Sequence, residues 1–403
     1  VPPSWPKPSR AESAFLLVWD ALYNPVTGLS AGGKSVKQRQ PRRQRGSAPT
    51  ISDVARAAGV SPMTVSRVIN GESNVRAKTR EAVNAAIQAL GYTPNRAARS
   101  LAGVEQINLG LLYSNPSAAY LSELLVGGLE QASRYNVQLI VEKCDVELDA
   151  EEVAYRLISR GVEGILLPPP LSDSPRLVEV LETTDTPAVA IATSRPQKNV
   201  SAVSIDDYRA AHAMTRHLIS LGHKRIGFIV GDSNQVASGH RLQGYRDALC
   251  EAGLEASDDL VAQGLFTYRS GLDAAEKLLS LGEIPTAIFA SNDDMAAATV
   301  AVAHSCGLDV PGDLSVCGFD DTALATTIWP ELTTIHQPII EMSRAAVDLL
   351  VKKIRARRAG REEACRQLLL DYTLVRRQSD APPRRRPLIK AVGASGTPET
   401  RTE

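Results

Sequence analysis

Cysteine is scarce in this 403-residue chain, and what there is lies scattered. The five thiols, Cys144, Cys250, Cys306, Cys317 and Cys365, are odd in number and form no CxxC pair. That argues against a disulfide framework or a zinc site, and for reduced thiols of the kind a cytoplasm maintains. Aromatic residues make up only 4% of the chain. No apolar run reaches the ~18 residues that suggest a membrane span. The stretch AFLLVW (Ala14–Trp19) is short, lies among prolines and is followed by no clear small-residue cleavage site, so it makes a poor secretion signal. HExxH, GxSxG and any plausible nucleophile–base pairing are also missing, so no catalytic residue, metal or cofactor is expected. One motif is a decoy. GLSAGGKS (Gly28–Ser35) fits the phosphate-loop pattern, but that loop needs a strand before it and a helix after it. Here ALYNPVT precedes, and VKQRQPRRQRG follows with Pro41 inside it, which reads as a flexible tail.

What is present is a globular composition, with 43% hydrophobic and 22% charged residues. Net charge is zero but unevenly spread. Lys34 to Leu101 holds 13 Lys+Arg against 3 Asp+Glu, a surplus of +10, so the remainder carries −10. A basic segment on an acidic body points to a polyanionic partner for that segment. Residues 1–48 are rich in Pro, Gly, Ser and Arg and read as a disordered extension, which a start codon placed too far upstream would also produce. Residues 379–403, basic and proline-rich, read as a disordered tail.

Between these ends two rhythms succeed one another. Residues 49–93 read as three short helices: Ser52–Ala58 stopped by Gly59, Pro62–Asn70 stopped by Gly71, and Ala77–Leu90 stopped by Gly91. Ser61 suits a helix cap, and Pro62 suits the first helical position, where a missing N–H costs nothing. A short helix, a turn containing glycine and a second short helix form the DNA-reading unit. In DVARAAGVSPMTVSRVIN, residues Val54, Ala55, Val65, Val68 and Ile69 would face inward. Any small three-helix bundle shares that pattern, but the basic residues Arg67, Arg76, Lys78 and Arg80 favour DNA binding. From residue 107 the pattern alternates strand-length apolar runs (INLGLLY, VQLIVEK, GILLPPP, PAVAIAT, RIGFIVG, TAIFASN, LSVCGFDD) with helical stretches such as Leu121–Tyr135, Arg209–Leu221, Arg241–Ala252 and Met295–Cys306. Such βαβα alternation implies parallel sheets covered by helices, here in two lobes spanning 107–378.

Ile51 to Gly103 resembles, without gaps, the DNA-binding headpiece of the lactose-repressor/galactose-repressor (LacI/GalR) family of bacterial transcription regulators. The likeness rests on GVS-x-x-TVSRV-x-N, V-x-x-KTRE and G-Y-x-PN-x-x-A-x-x-L. It continues through SGHRLQGYRDAL, AIFASNDDMA, VPGDLSVCGFDDT and ELTTIHQP, which are similar to the family's effector-binding core. The resemblance implies an all-α helix-turn-helix headpiece, a hinge over residues 94–106, and an α/β effector domain of two Rossmann-like parallel-sheet lobes, as in periplasmic sugar-binding proteins.

Carried over position by position, the resemblance puts the helix from Pro62 in the major groove. Arg67 matches a base-reading arginine whose guanidinium forks onto guanine, worth roughly 1–3 kcal/mol of discrimination. Pro62 and Met63 hold the other reading positions and offer apolar contact alone. Thr50, Ser61, Thr64, Ser66, Asn70 and Thr79 match phosphate contacts, which set register without reading sequence. Asn74 lies where the family adds a further contact. In the hinge, Leu101 matches a leucine wedged into the minor groove, with Asn95 and Ala98 beside it. Leu101 alone would equally suit packing against the next domain.

In parallel α/β sheets ligands sit at the carboxyl ends of strands. Here Ser114, Asn115, Ser194, Asn292, Asp293 and Asp320 occupy such ends, although Asn and Asp also cap helices there. By resemblance Arg241, Asn292 and Asp320 match ligand-binding positions, and Phe266 and Phe319 are candidates for a ring against the ligand or for core. A sugar is the favoured effector, with a nucleobase or nucleoside as the alternative. The implied partners are a pseudo-palindromic operator, the effector and a second copy of the chain, with no membrane, in the cytoplasm at the nucleoid. Coupling between such sites is typically ~1–3 kcal/mol. Two other classes compete. A sugar receptor without DNA function would lack the headpiece, and an α/β enzyme would need a base, for which His223 is the tempting residue.

Overall fold

The computed structural model describes residues 49–69, 75–90, 106–146, 148–193, 195, 197 and 199–384. The DNA-contact expectations at Asn70, Asn74, Asn95, Ala98 and Leu101, the effector expectation at Ser194, the phosphate-loop decoy and the extension over 1–48 all lie outside the described residues. The chain divides into two compact units, Val1–Ala98 and Arg99–Glu403.

In the first unit, α1 (Ile51–Ala58), α2 (Pro62–Ile69) and α3 (Ala77–Leu90) form the three helices that periodicity suggests. Thr50 starts α1: its N–H and Oγ1 both donate to Asp53 Oδ2, at 3.0 and 2.7 Å. Gly59 ends it in the left-handed region at φ 66°, which a residue with a Cβ adopts only under strain, and Val60 N donates back to Ala55 O at 3.0 Å. Ser61 begins α2 by accepting from Thr64 N at 3.2 Å. Val54, Ala55, Val65, Val68, Val83 and Ala86 form the core, with Val60 and Ile69 half-buried against it. A core this small has little stability to spare.

The second unit holds two six-stranded sheets. The first lobe contains β1 (Asn108–Tyr113), β2 (Gln138–Lys143), β3 (Gly164–Leu167), β4 (Ala188–Ile191), β5 (Ser201–Ser204) and β11 (Gln367–Leu369), in the order β11-β5-β4-β3-β1-β2 and all parallel. The second contains β6 (Ile226–Val230), β7 (Val261–Gln263), β8 (Ala287–Ala290), β9 (Ser315–Asp320), β10 (Thr333–His336) and β12 (Thr373–Val375), in the order β12-β10-β9-β8-β6-β7. Only β12 runs antiparallel to its neighbour in that sheet. Strands such as GILL, AVAI, IGFIV and AIFA are buried along their whole length, because helices cover both faces of a parallel sheet.

The connecting helices are α4 (Ala118–Tyr135), α5 (Ala150–Ser159), α6 (Pro175–Thr183), α7 (Asp207–Ser220), α8 (Val236–Glu251), α9 (Tyr268–Leu279), α10 (Asp293–Ser305), α11 (Ala323–Thr327) and α12 (Ile339–Arg358). Among the described residues the chain crosses between the lobes three times: from β5 to α7, from β10 to α12, and from β11 to β12. Each lobe is therefore built from separated segments, and α12 follows β10 of the second lobe yet packs on α4, β3, β4 and β5 of the first.

The expected C-terminal tail needs correction at its start. Ser379 and Asp380 are buried, Val316 N donates to Ser379 O at 2.8 Å, and Ala381 N donates to Ser315 Oγ at 3.0 Å. Residues 379–384 therefore form a strap that continues the hydrogen bonding of β9, despite a polar, proline-rich composition. That strap also explains His223. Its Nε2 lies 2.9 Å from Ala381 O and its Nδ1 2.9 Å from Thr286 Oγ1, a buried structural pairing. Burial lowers the imidazole's pKa, which suits a neutral ring between two partners.

Candidate functional site

The outer face of α2 is set by what its inner face buries. With Val65 and Val68 turned into the core, Pro62, Met63 and Arg67 are exposed, and Met63 keeps 66% of its surface. One exposed thioether is ordinary by itself; here it stands beside Pro62 and Arg67 on the face the core leaves free. Thr50, Ser61 and Arg76 lie exposed along the same unit, with Thr64, Ser66 and Thr79 half-buried. Ser61 Oγ and Thr64 Oγ1 are 2.9 Å apart, so both hydroxyls already serve the helix start.

The second unit carries a cavity of about 30 Å³ between its lobes. Its walls come from just beyond the strands: Asn115 and Ser117 after β1, Pro169 after β3, Ala192 after β4, Gln235 before α8, Phe266 after β7, Asn292 after β8, Asp320 at the end of β9 and Gln337 after β10. Tyr120, Ala237 and Arg241, from the helices, complete it.

Arg241 organises the buried charge. Its Nε donates to Asp207 Oδ1 at 2.8 Å, its Nη1 to Ser291 O at 2.6 Å, and its Nη2 reaches Gln337 Oε1 at 3.4 Å. Asp207 and Gln337 sit where the chain crosses between lobes, so one guanidinium ties two crossovers together. Its face rests on the Phe319 ring at 3.6 Å from the centroid. Asp320 Oδ1 is 3.9 Å from Nη1, an ion pair without a tight hydrogen bond. Burial pushes the Asp320 carboxyl well above its usual range, with Arg241 opposing the shift. Asp320, which lines the cavity, has a positive φ of 101°, so backbone strain sits at the cavity wall.

Two carboxylates join the lobes at its edge. Ser117 Oγ donates to Asp294 Oδ2 at 2.6 Å, and Val236 N donates to Asp173 Oδ2 at 3.1 Å, while Thr193 holds the other Asp173 oxygen at 2.7 Å. Burial raises the pKa of both Asp173 and Asp294. Further out, the partly buried Glu123 of α4 accepts from the Ala323 backbone across the lobes and faces Asp321. Burial and that like charge push it up to about 7.

Of the residues expected at the effector, the structure brings Asn115, Arg241, Phe266, Asn292 and Asp320 to one cavity. Ser114 is half-buried beside it and does not line it. Asp293 and Phe319 need correction. Asp293 faces the core, accepting from Thr322 N at 2.8 Å and Thr334 Oγ1 at 2.7 Å, and burial raises its carboxyl to about 7. Asn292 is the cap of α10 and turns the next residue inward. Phe319 is wholly buried as the platform beneath Arg241. Phe266 sits at the boundary: its ring lies over Gly231, where a Cβ would come within 2.0 Å of it, and its edge reaches the cavity. Ser117, Tyr120, Asp173, Gln235 and Gln337 escaped the sequence reading. Ser117 carried a signal, a serine placed to cap the helix after β1, while the two glutamines carried none.

A helix-turn-helix headpiece and a two-lobed α/β body with a polar interlobe cavity define a ligand-responsive DNA-binding regulator. Comparison with known proteins agrees. The family described as bacterial regulatory proteins, lacI family, matches residues 50–95, and the periplasmic binding protein-like domain matches residues 215–379. Catabolite control protein A of Priestia megaterium is 37% identical over 307 residues, covering 75% of this chain and 92% of that protein. Among solved structures, a transcriptional regulator CelR–cellobiose complex is 34% identical with a TM-score of 0.63, covering 82% of this chain and 99% of that one. The lac repressor dimer bound to operator and the anti-inducer ONPF is 29% identical with a TM-score of 0.69, covering 83% and 100%. The chain belongs to the LacI family of DNA-binding transcriptional regulators.

Proposed function

We propose that this protein is a repressor whose operator affinity is set by a small molecule, a sugar by preference, bound between the two lobes. The observation that carries this reading is that one chain joins an exposed recognition face at Pro62, Met63 and Arg67 to a buried cleft of hydrogen-bonding groups. In this reading Arg67 reads a guanine and the two apolar residues contact neighbouring bases. Thr50, Ser61, Thr64, Ser66, Asn70, Asn74 and Thr79 hold the phosphates, and Asn95, Ala98 and Leu101 engage the minor groove. Asn115, Ser117, Tyr120, Gln235, Arg241, Phe266, Asn292 and Asp320 receive the effector. A homodimer matches a pseudo-palindromic operator, because one headpiece reads half of it. Relatives solved with cellobiose and with an operator support the sugar and the DNA partner respectively.

Mechanistically, a ligand that bridges the lobes changes their relative populations, and Arg241 links that change to two crossovers. A ligand moves the operator equilibrium only as far as its affinities for the two lobe arrangements differ. The test is a fluorescence-anisotropy titration of the full chain on DNA from upstream of its own gene, at low salt, with and without cellobiose, glucose and hypoxanthine. Binding that one of the sugars alters by fivefold or more supports the reading. Absence of any operator complex sinks it, and a response to hypoxanthine alone moves the effector to the nucleobase class.

A further inference from the structure

The five thiols are all free, but the fold does not treat them alike. Cys144 and Cys317 are buried, and burial pushes the first up to about 12 and the second well above the usual thiol range. Neither supplies the thiolate that reacts with oxidants. Cys250 and Cys306 are exposed, near the ends of α8 and α10, and among the described residues neither sulfur meets an amine. Cys365 differs from all four. It is half-buried just before β11, and Lys353 Nζ of α12 donates to its Sγ at 3.2 Å. The thiol in turn donates to Asn199 O, ahead of β5, at 3.0 Å.

Two further features set the chemistry of this sulfur–nitrogen pair. The first is access. Lys353 and Asn199 also line a hollow of about 590 Å³ on the first lobe, walled by α6, α12 and the segment joining α12 to β11. A small oxidant such as hydrogen peroxide reaches the half-buried sulfur beside it. The second is isolation from other thiols. β11 and β2 are opposite edges of the first sheet, so Cys144, which follows β2, lies across the lobe. Cys250, Cys306 and Cys317 belong to the second lobe. An oxidised Cys365 therefore has no thiol beside it with which to form a disulfide. The nucleophile already in contact with it is the Lys353 nitrogen, and roughly 3–3.5 Å is the separation from which bound groups react readily.

We propose that Lys353 and Cys365 are an oxidative cross-linking site: hydrogen peroxide converts the thiol to a sulfenic acid, and the lysine amine condenses with it to a sulfenamide. In the first step sulfur takes one peroxide oxygen, the O–O bond breaks, and the other oxygen leaves as water. Sulfur is oxidised and peroxide is reduced. In the second step the ammonium gives a proton to solvent and the Nζ lone pair attacks sulfur. An S–N bond forms, the S–O bond breaks, and the hydroxide leaves as water with an amine proton. Sulfenic acids condense with nitrogen as well as with thiols, and both products are reversible. An external dithiol restores the thiol and the amine as its own two sulfurs become a disulfide. The link ties the C-terminal end of α12 to the start of β11, twelve positions on, just ahead of the crossing from β11 to β12.

The test uses the full, reduced chain. It is treated with hydrogen peroxide, its remaining thiols are blocked, and the digest is read by mass spectrometry. The expected product is a pair of peptides joined through Lys353 and Cys365, lighter by two hydrogens than their sum, and separated again by dithiothreitol. Lys353→Arg keeps a donor beside the sulfur but removes the nucleophile. In that variant dimedone, which traps sulfenic acids, is expected to label Cys365 several-fold more than in wild type. Cys365→Ser is expected to abolish both the linked pair and the label at that position. Wild-type Cys365 recovered as a sulfinic acid, a dimedone adduct or a disulfide, with no linked pair, overturns the proposal. Equal dimedone labelling of wild type and Lys353→Arg overturns it as well, because the amine would then be a neighbour that takes no part in the chemistry.

Discussion

The outer face of α2 and the cavity between the lobes both carry the groups proposed to make contacts, yet they hold them in opposite ways. Pro62, Met63 and Arg67 stand exposed on a helix whose fold depends on the other face. Arg241, Asp207 and Asp320 are buried, and each depends on the others for its charge balance. A surface residue can therefore be changed to alter what is read without altering the fold. A cavity residue cannot be changed without disturbing its neighbours, unless it is Gln235 or Tyr120, whose Nε2 and hydroxyl lack a partner among the described residues. Specificity at the DNA end is open to exchange, while at the ligand end it is tied to stability.

Arg241→Ala is the hardest test of that contrast. It strands two buried carboxylates, and breaking such a pair typically costs about 3–5 kcal/mol. A large fall in denaturation midpoint is expected, and an unchanged midpoint would show the cavity to be as tolerant as the surface. Arg67→Ala is expected to cost roughly 1–3 kcal/mol of discrimination at one base pair of each half-site, with a far smaller fall in midpoint than Arg241→Ala. Binding to a panel of operator variants measures it.

Ser61 lies between the two cases, since it caps α2 and also faces outward. Ser61→Ala should destabilise the headpiece by about 1 kcal/mol. Ser61→Asp should restore the cap yet weaken DNA binding, because the new charge faces phosphate. Equal DNA affinity for Ser61→Asp and wild type would remove Ser61 from the phosphate contacts. The smallest stability effect is expected from Met63→Gln, within ±0.5 kcal/mol for an exposed site, with a changed preference at the adjacent base.

The headpiece's resolved shift is at Asp53, held below the usual carboxylate range by Thr50, whereas the lobes add a pH dependence nearer neutrality. Glu123 has a folded pKa of about 7 against 4.5 for the free group, because of burial and Asp321. The folded state therefore binds the extra proton between those values. Its contribution to stability is fully present below about 4.5 and is lost as pH rises through about 7. Glu123→Gln should flatten the rise of unfolding temperature on acidification through that window and stabilise the protein above it. Thermal melts across the window measure the change. Asp293, also at about 7, adds to the same slope and remains in the variant.

The headpiece was legible because its information is local. Gly59 stops a helix, Ser61-Pro62 starts one, and Val54, Val65 and Val68 show which face is inside. The sheet strands were legible where they are long apolar runs and were missed where they are only three or four residues long, as in SAVS, VAQ, TTIH, QLL and TLV. Those segments are strands because neighbours pair with them. The strap from Ser379 was read as a tail for the same reason: only β9 gives its backbone partners.

By itself, then, the sequence determined a helix-turn-helix headpiece, its likeness to a family, the alternating α/β body, and the grouping of Arg241, Asn292 and Asp320, which line one cavity. Periods, caps and motifs lie within a few residues of one another and need no partner to be read. Only the tertiary structure decided that Asp293 and Phe319 turn into the core and that Ser117 meets Asp294 across the lobes, and only it left Gln235 Nε2 and the Tyr120 hydroxyl at the cavity without partners among the described residues. The first two outcomes come from contacts inside the second lobe, and the others from chain crossings that bring residues more than a hundred positions apart to one wall, where burial and the partners within reach decide what each side chain can do.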